Sequence, residues 1–294
     1  MNELYAEIKE DQWLLRHARN INSLSGEDGI LEKIFEVLPP GDKWCVEFGA
    51  WDGIKYSNTW NLISERDWSA VLIEADSEKF VDLQANCKKF PKAHCLNYFV
   101  TFEGENSLEA LLKKTAIPKN FDLLSIDIDG DDYHIWESVK EYTPKVVVIE
   151  FNPTVPSHVE FVQPRDMSVN QGSSLLSLIS LGKKKGYELI CVTDYNGIFV
   201  QAQFLNLFKL TKNDIVSLRP PNPSQCPQFH IFQLYDGTFV VGGGTVMPWF
   251  GIPIHQEKFQ ILPKFLRKYP TFSNSLFQRV LRRVWYLFYI NRFI

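Results

Sequence analysis

Between about residue 27 and residue 200, short apolar runs alternate with segments of helical periodicity, and this alternation constrains the fold more than any other feature. The runs are rich in Val, Ile, Leu and Phe, which is typical of strands buried on both faces of a parallel sheet. Strands that alternate with helices predict βα units joined by right-handed crossovers. The predicted strands are KWCVEFGA, SAVLIEAD, HCLNYFV, FDLLSIDI, KVVVIEF and, after a polar loop, YELICVT. The prediction is an α/β fold with a doubly wound, mostly parallel sheet.

Helices are predicted between these strands from the spacing of their apolar residues. Three of them cover residues 29–38, 77–89 and 107–115. A further helix begins with Ser173 or Ser174 as its N-cap residue, because a hydroxyl there accepts a hydrogen bond from the first helical turn. Gly186 is predicted to end that helix, since glycine adopts the left-handed conformation of many helix ends.

The character of the chain changes beyond about residue 210. The segment RPPNPSQCP breaks regular structure, and FHIFQLYDGTFVVGGG then predicts a β-hairpin around an Asp236-Gly237 turn. An amphipathic helix follows over residues 275–291. We therefore divide the chain into a domain over residues 1–210 and a C-terminal appendage over residues 211–294, which contains the hairpin and the basic helix.

Cysteine usage and hydropathy indicate in which cellular compartment the protein is expected. The chain has 294 residues, of which 45% are hydrophobic, enough for a large core. Its five cysteines are scattered without a C-x-x-C pair, which argues against a disulfide framework and a structural zinc site. No secretory signal and no apolar run of about 18 residues is visible. These features predict a cytoplasmic protein and leave peripheral contact with the inner face of the membrane open.

Charge is distributed unevenly along the chain. The formal net charge is −4, but the segment from Lys258 to the end contains eight basic residues and no acidic one, which leaves −12 on the preceding residues. This asymmetry predicts an anionic partner for the tail, or docking of the tail on the acidic body. The final helix is accordingly expected to pack on the domain or on a second copy, or to lie on a membrane surface. No nucleic acid binding is predicted for the body.

A glycine turn after the first strand, CVEFGAWDG, predicts a nucleotide-like pocket. Glu47, Gly49 and Gly53 are spaced as E-x-G-x-x-x-G, and glycine at a strand-to-helix turn allows close approach of the backbone to a ligand. The dinucleotide fingerprint needs a G-x-G-x-x-G spacing, and Asp52 would repel a pyrophosphate. A ligand with a positive centre and no phosphate fits better, and S-adenosylmethionine has a sulfonium, an ammonium and a ribose diol.

An acidic residue on the second strand strengthens this prediction. Glu74 ends that strand, 21 residues after Gly53. A carboxylate in this position accepts hydrogen bonds from a ribose diol in dinucleotide-binding enzymes. Glu47 and Asp52 are then predicted to face the amino acid end of the cofactor.

Six segments resemble the FkbM-type branch of class I S-adenosylmethionine-dependent methyltransferases, over about residues 25 to 210. They are GEDGILEKIF, CVEFGAWDG, SAVLIEAD, FDLLSIDIDGDDYHIW, KVVVIEFNP and QGSSLLSLISLGKKKGYEL. The resemblance implies a Rossmann-like methyltransferase fold and cofactor binding by Glu47, Gly49, Gly53 and Glu74. It also implies methyl transfer to a hydroxyl of a small-molecule acceptor, such as a carbohydrate or a natural product.

The segment IDIDGDDYHIW places four carboxylates at the end of the fourth strand. Side chains alternate along a strand, so Asp127 and Asp129 are expected to share one face and reach the same pocket. Asp131 or Asp132 is predicted to cap the following helix.

Two chemistries fit this cluster. Asp127 or Asp129 could accept the proton of an acceptor hydroxyl, with His134 assisting as a second base and Asp127 also contacting the cofactor. Alternatively, Asp129, Glu150 and Asn152 could hold a divalent cation such as Mg²⁺, which favours oxygen ligands. A solvated rim with one cofactor contact is the third interpretation.

The leading hypothesis is an S-adenosylmethionine-dependent O-methyltransferase. The alternative is a non-catalytic module with the same fold that binds a ligand or a partner. An oxidoreductase that uses a nicotinamide cofactor is a weaker candidate, because the glycine spacing and Asp52 are unfavourable for a pyrophosphate.

Overall fold

The structure is a computed structural model that describes residues 8–128, 130–153, 155–220, 230–235, 238–242, 246–247, 252–253 and 275–290. The strands of its main sheet are β1 (Trp44–Phe48), β2 (Ser69–Glu74), β3 (Ala93–Asn97), β4 (Leu123–Ile126), β5 (Val146–Glu150), β6 (Tyr187–Val192) and β7 (Asn196–Gln201). They form a seven-stranded sheet in the order β3-β2-β1-β4-β5-β7-β6. All neighbouring pairs are parallel except those of β7, which is antiparallel to both β5 and β6. The predicted α/β fold class is confirmed.

Helices cover both faces of the sheet. They are α1 (Glu27–Val37), α2 (Trp60–Arg66), α3 (Ser77–Cys87), α4 (Leu108–Leu112), α5 (Asp132–Ser138), α6 (Leu175–Lys184) and α7 (Ile215–Leu218). Two 3₁₀ segments, Glu10–His17 and Ala202–Phe208, complete the layer that contains α1. The predicted helices are therefore present, with ends that differ from the sequence-based bounds by up to three residues. Ser174 is the N-cap residue of α6, and its side chain accepts a hydrogen bond from the Ser177 backbone N–H.

Alternation along the strands sends side chains into two cores. On β1, Val46 and Phe48 face the layer of α4, α5 and α6, whereas Cys45 faces the layer of α1, α2 and α3. Trp136 of α5 is 1% exposed and packs against Phe199 of β7, with ring centroids 5.1 Å apart. Burial on both sides explains why the strand sequences are nearly continuous apolar runs.

Strand β7 was not predicted from the sequence. It follows β6 through a short turn, so the two strands form an antiparallel hairpin, and β7 lies between β6 and β5. The segment DYNGIFVQ contains an Asn-Gly pair followed by apolar residues, which is a recognisable turn-and-strand signal. The prediction of six strands was wrong in this respect, because it assigned no strand to residues 196–201.

The C-terminal segments form smaller units. Strands β8 (His230–Gln233) and β9 (Phe239–Gly242) pair in antiparallel orientation as predicted, and the expected turn residues Asp236 and Gly237 lie outside the described residues. Strands β10 (Val246–Met247) and β11 (Ile252–Pro253) form a second short pair. Helix α8 (Leu276–Ile290) follows, and none of the helices in the described ranges is long and apolar enough to cross a membrane. The division of the chain at residue 210 stays a prediction.

The position of β7 in the core makes a testable prediction. Phe199→Ala should lower the free energy of unfolding by about 3 to 5 kcal/mol, because Phe199 is fully buried and its removal leaves a cavity. The same substitution at Phe277, which is 72% exposed, should change that free energy by less than about 0.5 kcal/mol. Urea unfolding followed by circular dichroism measures both. Equal effects of the two variants would place Phe199 outside the core.

Candidate functional site

A cavity of about 690 Å³ lies at the carboxyl ends of β1, β2 and β4. Strand β1 pairs with β2 on one side and with β4 on the other, so the strand order reverses at this point. Open α/β sheets bind their ligands at such a reversal. The cavity is lined by Glu47, Gly49, Ala50, Trp51, Lys55, Tyr56, Ser57, Ile73, Glu74, Ala75, Asp76, Tyr98, Phe99, Val100, Asp127, Ile128, Gly130, Asp131, Met167, Val169 and Asn170.

The lining of the cavity is strongly acidic. Among the described residues that form it, the acidic ones are Glu47, Glu74, Asp76, Asp127 and Asp131, and the basic one is Lys55. Carboxylates in a partly enclosed site attract positive charge and repel phosphate. The cavity is therefore suited to a cationic ligand rather than to a dinucleotide.

Glu74 is held in place by the backbone at the rim of the cavity. It is 6% exposed, and its Oε2 accepts a hydrogen bond of 2.7 Å from the Trp51 backbone N–H. Its Oε1 accepts one of 2.7 Å from the Asp76 backbone N–H. Each carboxylate oxygen can accept a second hydrogen bond, so the pair remains suitable for the two hydroxyls of a ribose. The same contacts join the loop after β1 to the end of β2.

Glu47 also lines the cavity, but its carboxylate is bound to the protein. Its Oε2 accepts hydrogen bonds from the hydroxyls of Ser57 at 2.5 Å and Thr59 at 2.7 Å, and its Oε1 accepts one from the Asn58 backbone N–H at 2.8 Å. Burial raises the pKa of the Glu47 carboxyl above its usual value, although these donors favour the ionised form. Glu47 thus fixes the segment that leads into α2.

The glycines of the turn are required by contacts with the protein itself. Gly49 has a φ of +73°, and a Cβ there would lie 2.0 Å from the Asp127 carbonyl oxygen. Gly53 has a φ of +82°, and its Cβ would lie 2.6 Å from Cδ1 of Leu83. Gly53 does not line the cavity, and its predicted contact with a cofactor stays a prediction. Gly49 does line it, and it lets the ends of β1 and β4 approach each other.

The loop between β1 and α2 carries backbone strain. Trp51 and Tyr56 have positive φ angles of 51° and 61°, which side chains other than glycine rarely adopt. Such strain is concentrated at ligand sites in many proteins. Asp52 lies between them and accepts hydrogen bonds from the backbone N–H groups of Ile54 at 2.9 Å and Lys55 at 2.8 Å. Asp52 is thus a turn residue outside the lining of the cavity, and its place at the amino acid end of a cofactor stays a prediction.

The opposite wall of the cavity comes from the long loop between β5 and α6. Met167, Val169 and Asn170 of this loop line the cavity. Gln163 organises the loop: its Oε1 accepts hydrogen bonds from the backbone N–H groups of Gln171 at 3.1 Å and Gly172 at 2.9 Å. Its Nε2 donates to the Val169 carbonyl oxygen at 2.9 Å and to Oδ1 of Asp131 at 3.0 Å.

The hairpin of β8 and β9 supports this loop from behind. Phe232 of β8 is 3% exposed, and its ring packs against Phe161 of the loop with centroids 5.1 Å apart. The side-chain amide of Gln171 donates a hydrogen bond to the Gln233 carbonyl oxygen. A segment that the sequence analysis assigned to an appendage therefore contacts the wall of the candidate site.

Asp131 is the N-cap residue of helix α5, as one of the two predicted candidates, but its side chain makes no capping hydrogen bond. The helix begins at Asp132. Asp132 instead accepts hydrogen bonds from the backbone N–H groups of Ile128 at 3.0 Å and Gly130 at 2.9 Å, which shapes the end of β4. Asp131 lines the cavity, and burial raises the pKa of its carboxyl.

His134 lies outside the lining of the cavity. Its Nε2 is 2.9 Å from the Gln163 carbonyl oxygen, so this nitrogen carries the proton and donates. Its Nδ1 is 3.8 Å from a carboxylate oxygen of Glu137. The contact with Gln163 holds the loop against α5. The role of His134 as a base stays a prediction.

The predicted metal site is described only in part. Asp129 lies outside the described residues, and Glu150 and Asn152 do not line the cavity. The amide nitrogen of Asn152 donates to the Gln171 carbonyl oxygen at 2.7 Å, so this side chain anchors the loop. Within the described ranges, no group of three or more His, Cys, Asp or Glu side chains could hold a metal ion.

Sequence reasoning missed several residues that line the cavity. Tyr98 and Phe99 follow β3, and Phe99 is 53% exposed, which is unusual for a phenylalanine. Their place after the third strand, at the same edge of the sheet as Glu74, was a usable signal. Which residues of the acidic cluster and of the long loop line the cavity had no such signal, because only the path of the chain brings Asp131, Met167, Val169 and Asn170 there.

The contact at Gly49 makes a prediction about stability. Gly49→Ala should lower the free energy of unfolding by roughly 3 kcal/mol or more, through backbone strain plus a clash with the Asp127 carbonyl. Gly104 is the matched control, because its φ is +78° and a Cβ there meets nothing within 4 Å. Gly104→Ala should cost only about 1 to 2 kcal/mol, the strain alone. Equal losses in urea unfolding would show that no close approach exists at Gly49.

Neither a family model nor a curated protein matches the sequence. Solved structures do match. One is the N-terminal domain of EvdMO1 with S-adenosylhomocysteine bound, at 11% identity and a TM-score of 0.40, covering 68% of this chain and 99% of that one. A second structure of that domain, in the presence of S-adenosylhomocysteine and D-fucose, gives the same values.

Two further matches have names that state an activity or a bound cofactor product. A methyltransferase from Aquifex aeolicus, described as dependent on S-adenosylmethionine, is similar at 10% identity and a TM-score of 0.38, covering 65% of this chain and 98% of that one. TrmK from M. capricolum, in complex with S-adenosylhomocysteine, is similar at 13% identity and a TM-score of 0.35, covering 57% of this chain and 66% of that one. Similarities this low assign neither a family nor an activity, and the fold class rests on the sheet topology of this chain.

Proposed function

We propose that the protein is an S-adenosylmethionine-dependent O-methyltransferase of the FkbM type, acting on a hydroxyl of a carbohydrate or a similar small molecule. The observation that carries the proposal is the acidic cavity at the reversal of strand order, with the Glu74 carboxylate fixed at its rim. Its volume of about 690 Å³ is within the range of small-molecule and cofactor sites.

The cofactor half of the site would be formed by the ends of β1 and β2. Glu74 would accept hydrogen bonds from the ribose diol, and Gly49 would form the floor beside it. Asp127 and the buried Glu47 would provide negative potential for the sulfonium and the ammonium, through space in the case of Glu47. Tyr98 and Phe99 would form the apolar wall for the adenine. The bound cofactor would supply the methyl group for the transfer.

The acceptor half would lie between Asp127, Asp131 and the loop residues Val169 and Asn170. A general base must be unprotonated and must reach the hydroxyl whose proton it accepts. Burial raises the pKa of the Asp131 carboxyl above its usual value, so in its ionised form Asp131 is a stronger base than an exposed aspartate. Gln163 holds Oδ1 of Asp131 at 3.0 Å, which orients the carboxylate. We therefore assign Asp131 as the base and Asp127 to cofactor contact.

Cofactor binding is the first test. The full chain should bind S-adenosylhomocysteine with micromolar affinity and favourable enthalpy, measured by calorimetry. Glu74→Gln should weaken binding roughly 10- to 100-fold, because a hydrogen bond to a charged acceptor contributes about 1.5 to 3 kcal/mol. Asp52→Asn is the control, since Asp52 is engaged within the turn and should leave the affinity unchanged.

Two results of the calorimetry would count against the cofactor site. One is no binding to the folded protein, and the other is equal weakening by Glu74→Gln and Asp52→Asn. Titrations with and without Mg²⁺ test the prediction that Asp129, Glu150 and Asn152 hold a divalent cation. If they do, the affinity for S-adenosylhomocysteine or the rate of turnover should depend on the metal.

Methyl transfer is the second test, with a panel of free saccharides as acceptors and released S-adenosylhomocysteine as the readout. Asp131→Asn should lower kcat by about 10²- to 10⁴-fold, while the affinity for S-adenosylhomocysteine stays close to wild type. For the wild type, kcat should rise with pH through the raised pKa of Asp131, because only the ionised carboxyl accepts a proton. This rise of kcat with pH should disappear in Asp131→Asn.

The same measurement separates the competing functions. A chain that binds S-adenosylhomocysteine but transfers no methyl group to any acceptor would fit the non-catalytic module. If Asp131→Asn turned over at the wild-type rate, the proposed reaction would stand, but Asp131 would not be its base. The cytoplasmic location stays a prediction from cysteine usage.

A further inference from the structure

Helix α8 presents a continuous apolar face that the described part of the chain does not cover. Five apolar side chains of this helix are between 45% and 72% exposed: Leu276, Phe277, Val280, Val284 and Leu287. At about 100° per residue these positions fall on one side of the helix. A contiguous apolar face that is exposed to solvent usually marks an interaction site, so this face is expected to have a partner.

One edge of this face is basic, because Arg283 lies next to Leu276 around the helix and Arg279 lies beyond Arg283. Arg279 and Arg283 are exposed, and the chain from Lys258 to its end has eight basic residues and no acidic one. Trp285, at 36% exposure, lies at the border between the apolar face and the polar side. A helix with an apolar face, an arginine-bearing polar side and tryptophan between them has the composition of interfacial membrane helices.

We propose that α8 binds the surface of an anionic bilayer, with its axis along the membrane plane and its apolar face among the acyl chains. The 15 residues of α8 would extend about 22 Å as a helix, less than the hydrocarbon thickness of about 30 Å, so the helix lies on the membrane and does not cross it. This inference does not depend on the proposed methyltransferase activity.

Charge favours a bilayer over a second copy of the chain. Pairing two α8 helices through their apolar faces would bring Arg283, which borders that face, near the same residue of the other copy, without any carboxylate from Lys258 to the end of the chain to compensate. An anionic lipid surface provides the opposite charge along the whole length of the helix. The residues before Lys258 carry a formal charge of −12, so attraction to such a surface has to come from the tail.

Vesicle sedimentation with the full chain tests the proposal. Vesicles of phosphatidylcholine with about 30 mol% phosphatidylserine should bind the protein roughly tenfold or more tightly than vesicles of phosphatidylcholine alone. The preference should diminish as salt is raised from about 0.1 M to about 0.5 M, because salt screens the attraction.

Two pairs of substitutions separate the electrostatic contribution to vesicle binding from the apolar one. Arg279→Gln with Arg283→Gln should reduce the preference for anionic vesicles, and Val280→Ser with Val284→Ser should weaken binding to any vesicle. Lys88→Gln with Lys89→Gln, on the exposed surface of the body, is the control and should bind like wild type. Circular dichroism and the affinity for S-adenosylhomocysteine report whether the variants are folded.

Several results would overturn the proposal. They are the absence of vesicle binding, equal binding to both kinds of vesicle at all salt concentrations, and equal effects of the arginine pair and the lysine control. A concentration-dependent dimer in sedimentation velocity that Val280→Ser with Val284→Ser abolishes, without vesicle binding, would instead assign the face to a second copy. Failure of S-adenosylhomocysteine binding by itself would count against the proposed function only.

Discussion

The close approach of the ends of β1 and β4 is the constraint on which the candidate site depends. Gly49 leaves β1 with positive φ and lies so near the Asp127 carbonyl that no Cβ would fit between them. The turn this creates directs the backbone N–H of Trp51 at Glu74 on the neighbouring strand. The absence of a side chain at Gly49 thus allows β1, β2 and β4 to meet where the strand order reverses. The cavity lies next to this junction.

Buried carboxylates around this junction are stabilised by donors of the protein. Glu74 receives two backbone N–H groups, Glu47 receives one backbone N–H group and two hydroxyls, and Asp132 receives two backbone N–H groups. Hydrogen bonds of this kind offset the loss of hydration that burial imposes on a charge. The cavity can therefore retain a negative lining, which is the electrostatic basis of the proposed binding of a sulfonium cofactor.

The wall on the acceptor side is assembled from distant parts of the chain. Gln163 joins the loop after β5 to Asp131 at the end of β4, and His134 of α5 donates to the same loop. Phe232 of the β8–β9 hairpin packs behind it. A loop held by so many contacts is a pre-organised wall, which would favour the proposed positioning of an acceptor hydroxyl.

The sequence by itself determined the fold class, the bounds of most elements, and the meeting of Gly49, Glu74 and Asp127 at one cavity. These follow from local rules, since strand periodicity and the parallel arrangement send the ends of neighbouring strands to one edge. Only the tertiary structure decided that β7 inserts between β5 and β6, that Asp52 and His134 face protein groups, and that Asp131 reaches the cavity. The physical reason is that a side chain's role depends on which donors and acceptors long-range packing brings to it, and spacing along the chain does not encode that.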